Sequence, residues 1–385
     1  MKTRRIIATF LVFSLLLGAS ACKKKEKPSE TTTELTTTEQ TTTQPTSTTV
    51  DTVNGLYDPS NPNALNPLTG LQLMDPENEG MRSVAIVINN CYNALPQRGI
   101  SEADAIYEYE TEGGQTRLLA LFADVNTVPE VGSLRSARVI SSDLAAGTNS
   151  IFIHYGRNAR VPDHLTEFGI DHVDGNNCSA DSNSSANGPV VLGEGLFFWR
   201  DSTWLSLRSR EHTAVSDGEH ISAAIDYFNI DRVGETPLLF NFVPDNSVDS
   251  ENGSPCTTLN VFFSATNDDA LFTYDPEFFI YYKTQYGGEA QIDETSGNQV
   301  AVTNVIVLFA DIQPHGDGTI DAYLQSGGNG LYASQGQMVP ITWTKPTPND
   351  PITIYNMDGD IVEVNRGVSY ICVVDNDYES DTTYS

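Results

Sequence analysis

Basic residues are scarce in this chain. There are 21 lysines and arginines against 51 aspartates and glutamates, a formal net charge of −30 at pH 7. So acidic a surface repels nucleic acid and anionic lipid, which argues against both as partners of the folded part. Cysteine is sparse too, five in 385 residues, and none forms a CxxC pair. No HExxH occurs, and His154, His164 and His172 are too widely spaced to imitate it, so the signatures of zinc sites are missing. Asp181, Asp268, Asp269 and Asp317 lie in loops without EF-hand spacing. No metal or other cofactor is expected. A GxSxG nucleophile elbow is absent as well.

The few basic residues are unevenly placed. Seven of them (Lys2, Arg4, Arg5, Lys23, Lys24, Lys25 and Lys27) sit at the start of the chain. Of the other 14, 12 are arginine, and 11 of those fall between Arg82 and Arg232. Arginine's planar fork suits carboxylate and phosphate pairing better than lysine's point charge. Arginines gathered in one segment of an acidic chain are therefore either held by internal carboxylates or available to an anion.

Residues 1–22 read as a secretory leader: a basic start, an apolar segment from Ile6 to Leu17 too short to span a membrane, and the small residues Gly18-Ala19-Ser20-Ala21 before Cys22. Small residues directly before a cysteine resemble the bacterial lipobox, in which that cysteine is lipidated. Residues 23–65, rich in threonine, form a disordered tether. A short lysine cluster at its start would lie at the headgroups. An N-terminal α+β domain is expected over 66–235, a β-rich C-terminal domain over 236–375, and a fraying acidic tail over 376–385, giving an α+β class overall. The β-rich half either folds alone or extends the first sheet.

In the first half, Ser83 to Ile88 reads as a buried strand. Ala105 to Glu110 reads as a strand with one charged face, joined through Gly113-Gly114 to a strand from Thr116 to Ala123. A helix is expected from Ala137 to Ala146 with Ser136 as its N-cap, and its first turn could offer N–H groups to an anion beside Arg135 and Arg138. Ile151 to Ile153 is a strand that leaves His154 at its exit. Ser216 and Glu219 suggest a capping box for the helix running to Phe228. Cys178 to Gly188 is a polar loop. Apart from Cys22, the cysteines Cys91, Cys178, Cys256 and Cys372 allow three pairings, with Cys372 better placed as a buried thiol.

The motifs Pro96-Gln97-x-Gly99, Ala103-Asp104, Glu112-Gly113-Gly114-x-Thr116-Arg117, Arg135-Ser136-Ala137-Arg138 and Arg200-Asp201 together resemble the YerB-like bacterial lipoproteins (DUF3048-type). Thr303-Asn304-Val305-Ile306-Val307 and Asn365-Arg366-Gly367 fit that family's second half, so the likeness covers most of residues 66 to 374. It implies a membrane-anchored bacterial protein with two conserved regions and no assigned activity. Carried over position by position, the matching polar residues are Asn90, Glu112, Arg117, Arg135, Ser136, Arg138, His154, Arg200, Asp201 and His212. Cys91 and Glu211-His212-Thr213 depart from the family pattern.

Those residues are the candidate ligand-binding set, and the function expected of them is binding an anionic ligand or cell-envelope component in an arginine-rich cleft. One alternative is a hydrolase of envelope glycan or ester bonds, with Ser136, Asp201 and His212 as a triad or Glu112 with Asp201 or Glu108 as a carboxylate pair. The other is a protein-interaction module in which the arginines form internal ion pairs. The protein is expected at the cell membrane, lipid-anchored and facing the extracytoplasmic side.

Overall fold

The computed structural model describes residues 55–176, 196–244, 248, 253–266 and 270–385. The leader, Cys22, the start of the tether and the Cys178 loop lie outside the described residues. The chain packs earlier than the boundary expected at Asn66: Leu56 and Ala64 are buried, and Ala64 bridges Met74.

Strands β1 (Val84–Asn89), β2 (Ala105–Glu110) and β3 (Thr116–Phe122) form the middle of a large sheet. β2 and β3 are the expected hairpin, pairing Glu110 with Thr116 across the diglycine turn, and β3 pairs antiparallel with β1. After α1 (Val139–Gly147) the chain returns as β4 (Ile151–His154), parallel to β1; α2 (Val161–Phe168) then leads to β5 (His172–Asp174), parallel to β4. Two further helices, α3 (Ser202–Leu207) and α4 (Gly218–Tyr227), close the first half.

The second half is built of strands. β6 (Thr258–Val261), β7 (Ala270–Asp275) and β8 (Ile280–Gln285) form a second sheet with short edge segments. β9 (Asn304–Ala310), β10 (Gly328–Ser334), β11 (Gln337–Thr344) and β12 (Ser369–Asp375) join the first sheet instead. β12 lies between β9 and β2, parallel to both. The resulting order is β11-β10-β9-β12-β2-β3-β1-β4-β5 with short segments added at the β11 edge, eleven strands among the described residues. The second half thus extends the first sheet while adding a sheet of its own.

Alternate side chains of one strand enter two different cores. Val84, Ile86 and Ile88 of β1 and Leu118, Ala120 and Phe122 of β3 pack with Val261, Phe272 and Tyr281 of the second sheet. Ala85, Val87, Leu119 and Leu121 pack with Leu144 of α1, Leu165 of α2 and Trp343 of β11. The large sheet is therefore covered on both faces, which explains why its strands are continuous apolar runs. Each fully buried aliphatic side chain contributes roughly 1.5–3 kcal/mol of transfer free energy.

Four local expectations are corrected. β2 has no solvent-facing charged face, because Glu108 is fully buried. Ser136 does not cap α1: the helix starts at Val139, and the Ser141 hydroxyl receives the Arg138 N–H. α4 is capped by Asp217, which accepts from the His220 N–H, while Ser216 ends a short strand and donates to the Phe197 carbonyl. The tail does not fray, since β13 (Thr383–Tyr384) pairs with β6 and Ser385 exchanges backbone bonds with Thr258. Among the described residues no helix is long and apolar enough to cross a membrane.

Candidate functional site: an arginine-lined cleft

At the carboxyl ends of β1 and β4 the segment 134–137 threads between the two exits. The Arg135 N–H donates to the Val87 carbonyl at 3.0 Å, Tyr155 N–H donates back to the Arg135 carbonyl at 3.0 Å, and Ala137 N–H donates to the Gly156 carbonyl at 2.9 Å. Gly156 has φ of 81°, a left-handed conformation that an L side chain rarely adopts, and a Cβ there would stand 3.1 Å from the Ser136 hydroxyl. This crossing opens a cleft of about 600 Å³ whose walls carry Arg135, Arg157 and Arg200 against Asp174 and Glu211.

The arginines are held differently. Arg157 pairs with the buried Asp174. Arg200 lies with its guanidinium carbon 4.4 Å from the Tyr155 ring centre and donates to the Arg210 carbonyl at 2.6 Å. Among the described residues, the Arg135 side chain makes one long bond, 3.4 Å, to the Glu211 carbonyl. Partial burial pushes its pKa down, the Glu211 carboxylate opposes this, and Arg138 and Arg200 add to the depression.

Two sequence-predicted arginines stand behind the wall. Arg117 is buried and donates to the Ser136 carbonyl; burial first, and then the Arg138 charge, push its pKa down to about 9. Arg138 forms a bidentate pair with Glu112, its Nε at 2.7 Å and its Nη2 at 2.6 Å from the carboxylate oxygens. Burial alone would raise the Glu112 carboxyl, but the Arg138 bonds hold it below its ordinary value.

His154 is also behind the cleft. A carbonyl only accepts, so the 2.8 Å contact to the Gly156 oxygen places the proton on Nδ1, and Nε2 then accepts from His172 Nδ1 at 3.1 Å. Burial lowers both imidazoles, His172 to about 4 with help from its neighbour. Ser136 lines the cleft, but its hydroxyl points back to the Tyr155 carbonyl at 3.3 Å.

The remaining expected site residues are elsewhere. Asp201 caps α3 at 2.7 Å from the Trp204 N–H and pairs with Arg98, which also binds Glu130 and Glu294. Burial would raise Asp201; the Trp204 N–H and Arg98 lower it. Arg98 and Arg208 both stack on Trp204, each 4.1 Å from the ring centre. His212 bonds Asn89 at 2.8 Å through Nδ1, with the Cys91 sulfur 3.8 Å from the same nitrogen. Ser136, Asp201 and His212 thus have separate partners and do not form the triad considered from sequence. Glu112, Glu108 and Asp201 are held by different cations, Arg138, Lys283 and Arg98.

Asn90 belongs to a buried network around Glu108, described below. Cys91, Cys256 and Cys372 are free and buried. Among the described residues no group of three or more His, Cys, Asp or Glu side chains is placed to hold a metal. Arg157, Tyr155 and Asp174 were missed as cleft residues; the only sequence signal was their position just after β4 and within β5.

Residues 68–231 match the family domain described as "Protein of unknown function (DUF3048) N-terminal domain", and residues 247–371 match its C-terminal counterpart. The chain belongs to the DUF3048 family. It is 29% identical over 282 residues to "Putative lipoprotein YerB" of Bacillus subtilis (strain 168), covering 72% of this chain and 77% of that protein. Its fold is similar to the crystal structure of the YerB protein from Bacillus subtilis, with a TM-score of 0.68 at 27% identity over 83% of this chain and 98% of that one. The boundary between the two family domains falls where the chain leaves the helical half, yet the large sheet runs across it through the β2–β12 pairing.

Proposed function

We propose that this DUF3048 protein is lipidated at Cys22, held on the extracytoplasmic side of the cell membrane, and binds an anionic ligand or carboxylate-bearing envelope component in the cleft at Arg135. The membrane part draws on the leader sequence and on the printed description of the Bacillus relative as a lipoprotein. The observation that carries the binding part is Arg135, a cation on the wall of a 600 Å³ cleft whose side chain makes, among the described residues, one bond, a 3.4 Å contact to a backbone carbonyl. Its neighbour Arg117 is buried behind the same wall and adds positive potential.

Five of the other arginines favour the second reading, in which positive charge is used internally. Arg82, Arg98, Arg138, Arg157 and Arg160 each pair with a carboxylate. Such pairs serve specificity of packing more than net stability. They narrow the ligand-binding reading to Arg135 and its surroundings.

The test is calorimetric titration of the full chain with inorganic phosphate and with a dicarboxylate, for the parent, Arg135→Gln and Arg82→Gln. Binding lost only in R135Q supports the cleft. Equal retention by parent and R135Q sinks it. Fatty-acyl labelling that disappears in Cys22→Ala, with release of the protein from membranes, tests the anchor.

A further inference from the structure

The arginine cleft carries a negative charge beside Arg135. Arg135 and Glu211 both line it, and Arg135 Nη1 reaches the Glu211 backbone carbonyl at 3.4 Å, so the guanidinium sits next to the backbone from which the Glu211 side chain leaves. The two charged groups do not pair. Among the described residues the basic nitrogen within ion-pair reach of the Glu211 carboxylate is His212 Nε2, 3.8 Å from Oε1, and the Glu211 side chain is 55% exposed.

His212 does not neutralise that carboxylate. Asn89 Oδ1 accepts the Cys91 N–H at 3.3 Å, so the Asn89 Nδ2 placed 2.8 Å from His212 Nδ1 is a donor and Nδ1 is its acceptor. An imidazole with one nitrogen accepting is neutral, and burial first, then the Arg135 charge, lowers its pKa in the same direction. Elsewhere in the cleft Arg157 pairs with Asp174, which also accepts the Gly156 and Asn176 N–H groups at 2.8 and 3.0 Å. Arg135 and Glu211 thus form a guanidinium and a carboxylate on one wall that do not satisfy each other.

A purely anionic ligand fits this wall poorly. Held at Arg135 it brings a second negative charge beside Glu211, and like charges set together oppose binding. A purely cationic ligand meets the same objection from Arg135. The complement is a group that carries both signs a few bonds apart, and an α-amino acid group, with ammonium and carboxylate on one carbon, is its compact form. The cleft, at about 600 Å³, has the size of pockets that hold a whole small molecule, which leaves room for the chain to which such a group is attached. Asn158 also lines it; its Oδ1 accepts the Arg160 and Val161 N–H groups at 3.2 Å, so its amide nitrogen remains a donor suited to a carbonyl of that chain.

We infer, on the basis of the proposed carboxylate site at Arg135, that the cleft recognises a free α-amino acid group at the end of a longer molecule, its carboxylate at Arg135 and its ammonium at Glu211.

The experiment is calorimetric titration of the full chain with norleucine, N-acetylnorleucine, norleucinamide and phosphoethanolamine. Norleucine, which carries both charges, is expected to bind at least about tenfold more tightly than either derivative that carries one, equivalent to ~1.4 kcal/mol. Glu211→Gln, at an exposed side chain, should bring norleucine down to the level of N-acetylnorleucine, leave N-acetylnorleucine at least as tight, and leave thermal unfolding unchanged. Arg135→Gln should lose both. N-acetylnorleucine binding the parent as tightly as norleucine, or a norleucine preference that survives in E211Q, overturns the amino-acid assignment and leaves the anion cleft standing. Tighter binding of phosphoethanolamine does the same, replacing the carboxylate by a phosphate. Absence of binding by all four probes and by inorganic phosphate removes the anion cleft as well.

Discussion

Lys283 Nζ lies 3.3 Å from Glu108 Oε2, and neither side chain has any exposed surface. The carboxylate is saturated, receiving Asn90 and Thr116 on one oxygen and the Tyr370 hydroxyl at 2.6 Å on the other. The pair joins β2 of the large sheet to β8 of the second sheet, so it links the two layers inside the fold.

Removing one partner should therefore be severe. Lys283→Met leaves the carboxylate buried without its counter-charge, and urea unfolding should register a loss of about 3–5 kcal/mol. The double variant Lys283→Met with Glu108→Gln should recover most of it, because no charge is then left in the core. A loss under about 1 kcal/mol in the single variant would mean that the contact between Lys283 and Glu108 does not hold the two layers together.

The Arg138–Glu112 pair should behave as a structural element and not as a ligand site. Arg138→Ala removes three short bonds to Glu112. The Glu112 pKa is depressed in the folded protein, so its contribution is present above the unfolded carboxyl value and is lost as pH falls through the folded one. In R138A that contribution is gone: stability at neutral pH should drop by about 1–2 kcal/mol, with less further loss on acidification. Phosphate titration should match the parent. A loss of anion binding without a loss of stability would return Arg138 to the binding set.

How much of this was legible depended on distance along the chain. The hairpin of β2 and β3, the buried run of β1 and the strand leaving His154 were readable because neighbouring residues decide them. Glu108 was misread because alternation with Tyr107 and Tyr109 resembles a half-exposed strand; its partner Lys283 is brought to it only by the packing of the second sheet. β10 and β11 escaped notice because glycine and proline, ordinarily turn signals, sit inside them. A Cβ at Gly328 or Gly330 would collide with the Phe309 or Val307 carbonyl, so these glycines mark close strand approach and not a turn. The candidate arginines divided for the same reason: sequence places Arg117, Arg135 and Arg138 together, but only the fold decides which one faces a carboxylate.

Gly156 should be intolerant of substitution. Its φ of 81° and its proximity to Ser136 both oppose a side chain. Gly156→Ala is expected to cost about 1–2 kcal/mol in thermal or urea unfolding and to shift the segment that carries Arg135, weakening anion binding together with stability. A G156A protein of parental stability would show that this crossing is not strained.

Buried His154 and its half-buried neighbour His172 give the acid limb of the stability profile a distinct origin. His172 is lowered from 6.5 to about 4 by burial and by His154, so the unfolded chain binds the proton more readily. Stability from this group is complete above about 6.5 and declines as pH falls toward about 4, by at most about 3 kcal/mol. Asp104 and Glu110, raised by burial to about 6 and about 7, act with the opposite sign, favouring the fold as pH falls through their own windows. The parent curve therefore mixes both, and the informative quantity is the difference between parent and His172→Phe. That difference should be steepest between pH 4 and 6.5 and flat above pH 7. A difference independent of pH across the range would mean that His172 takes up its proton as readily in the folded protein as in the unfolded chain, so that burial does not depress it.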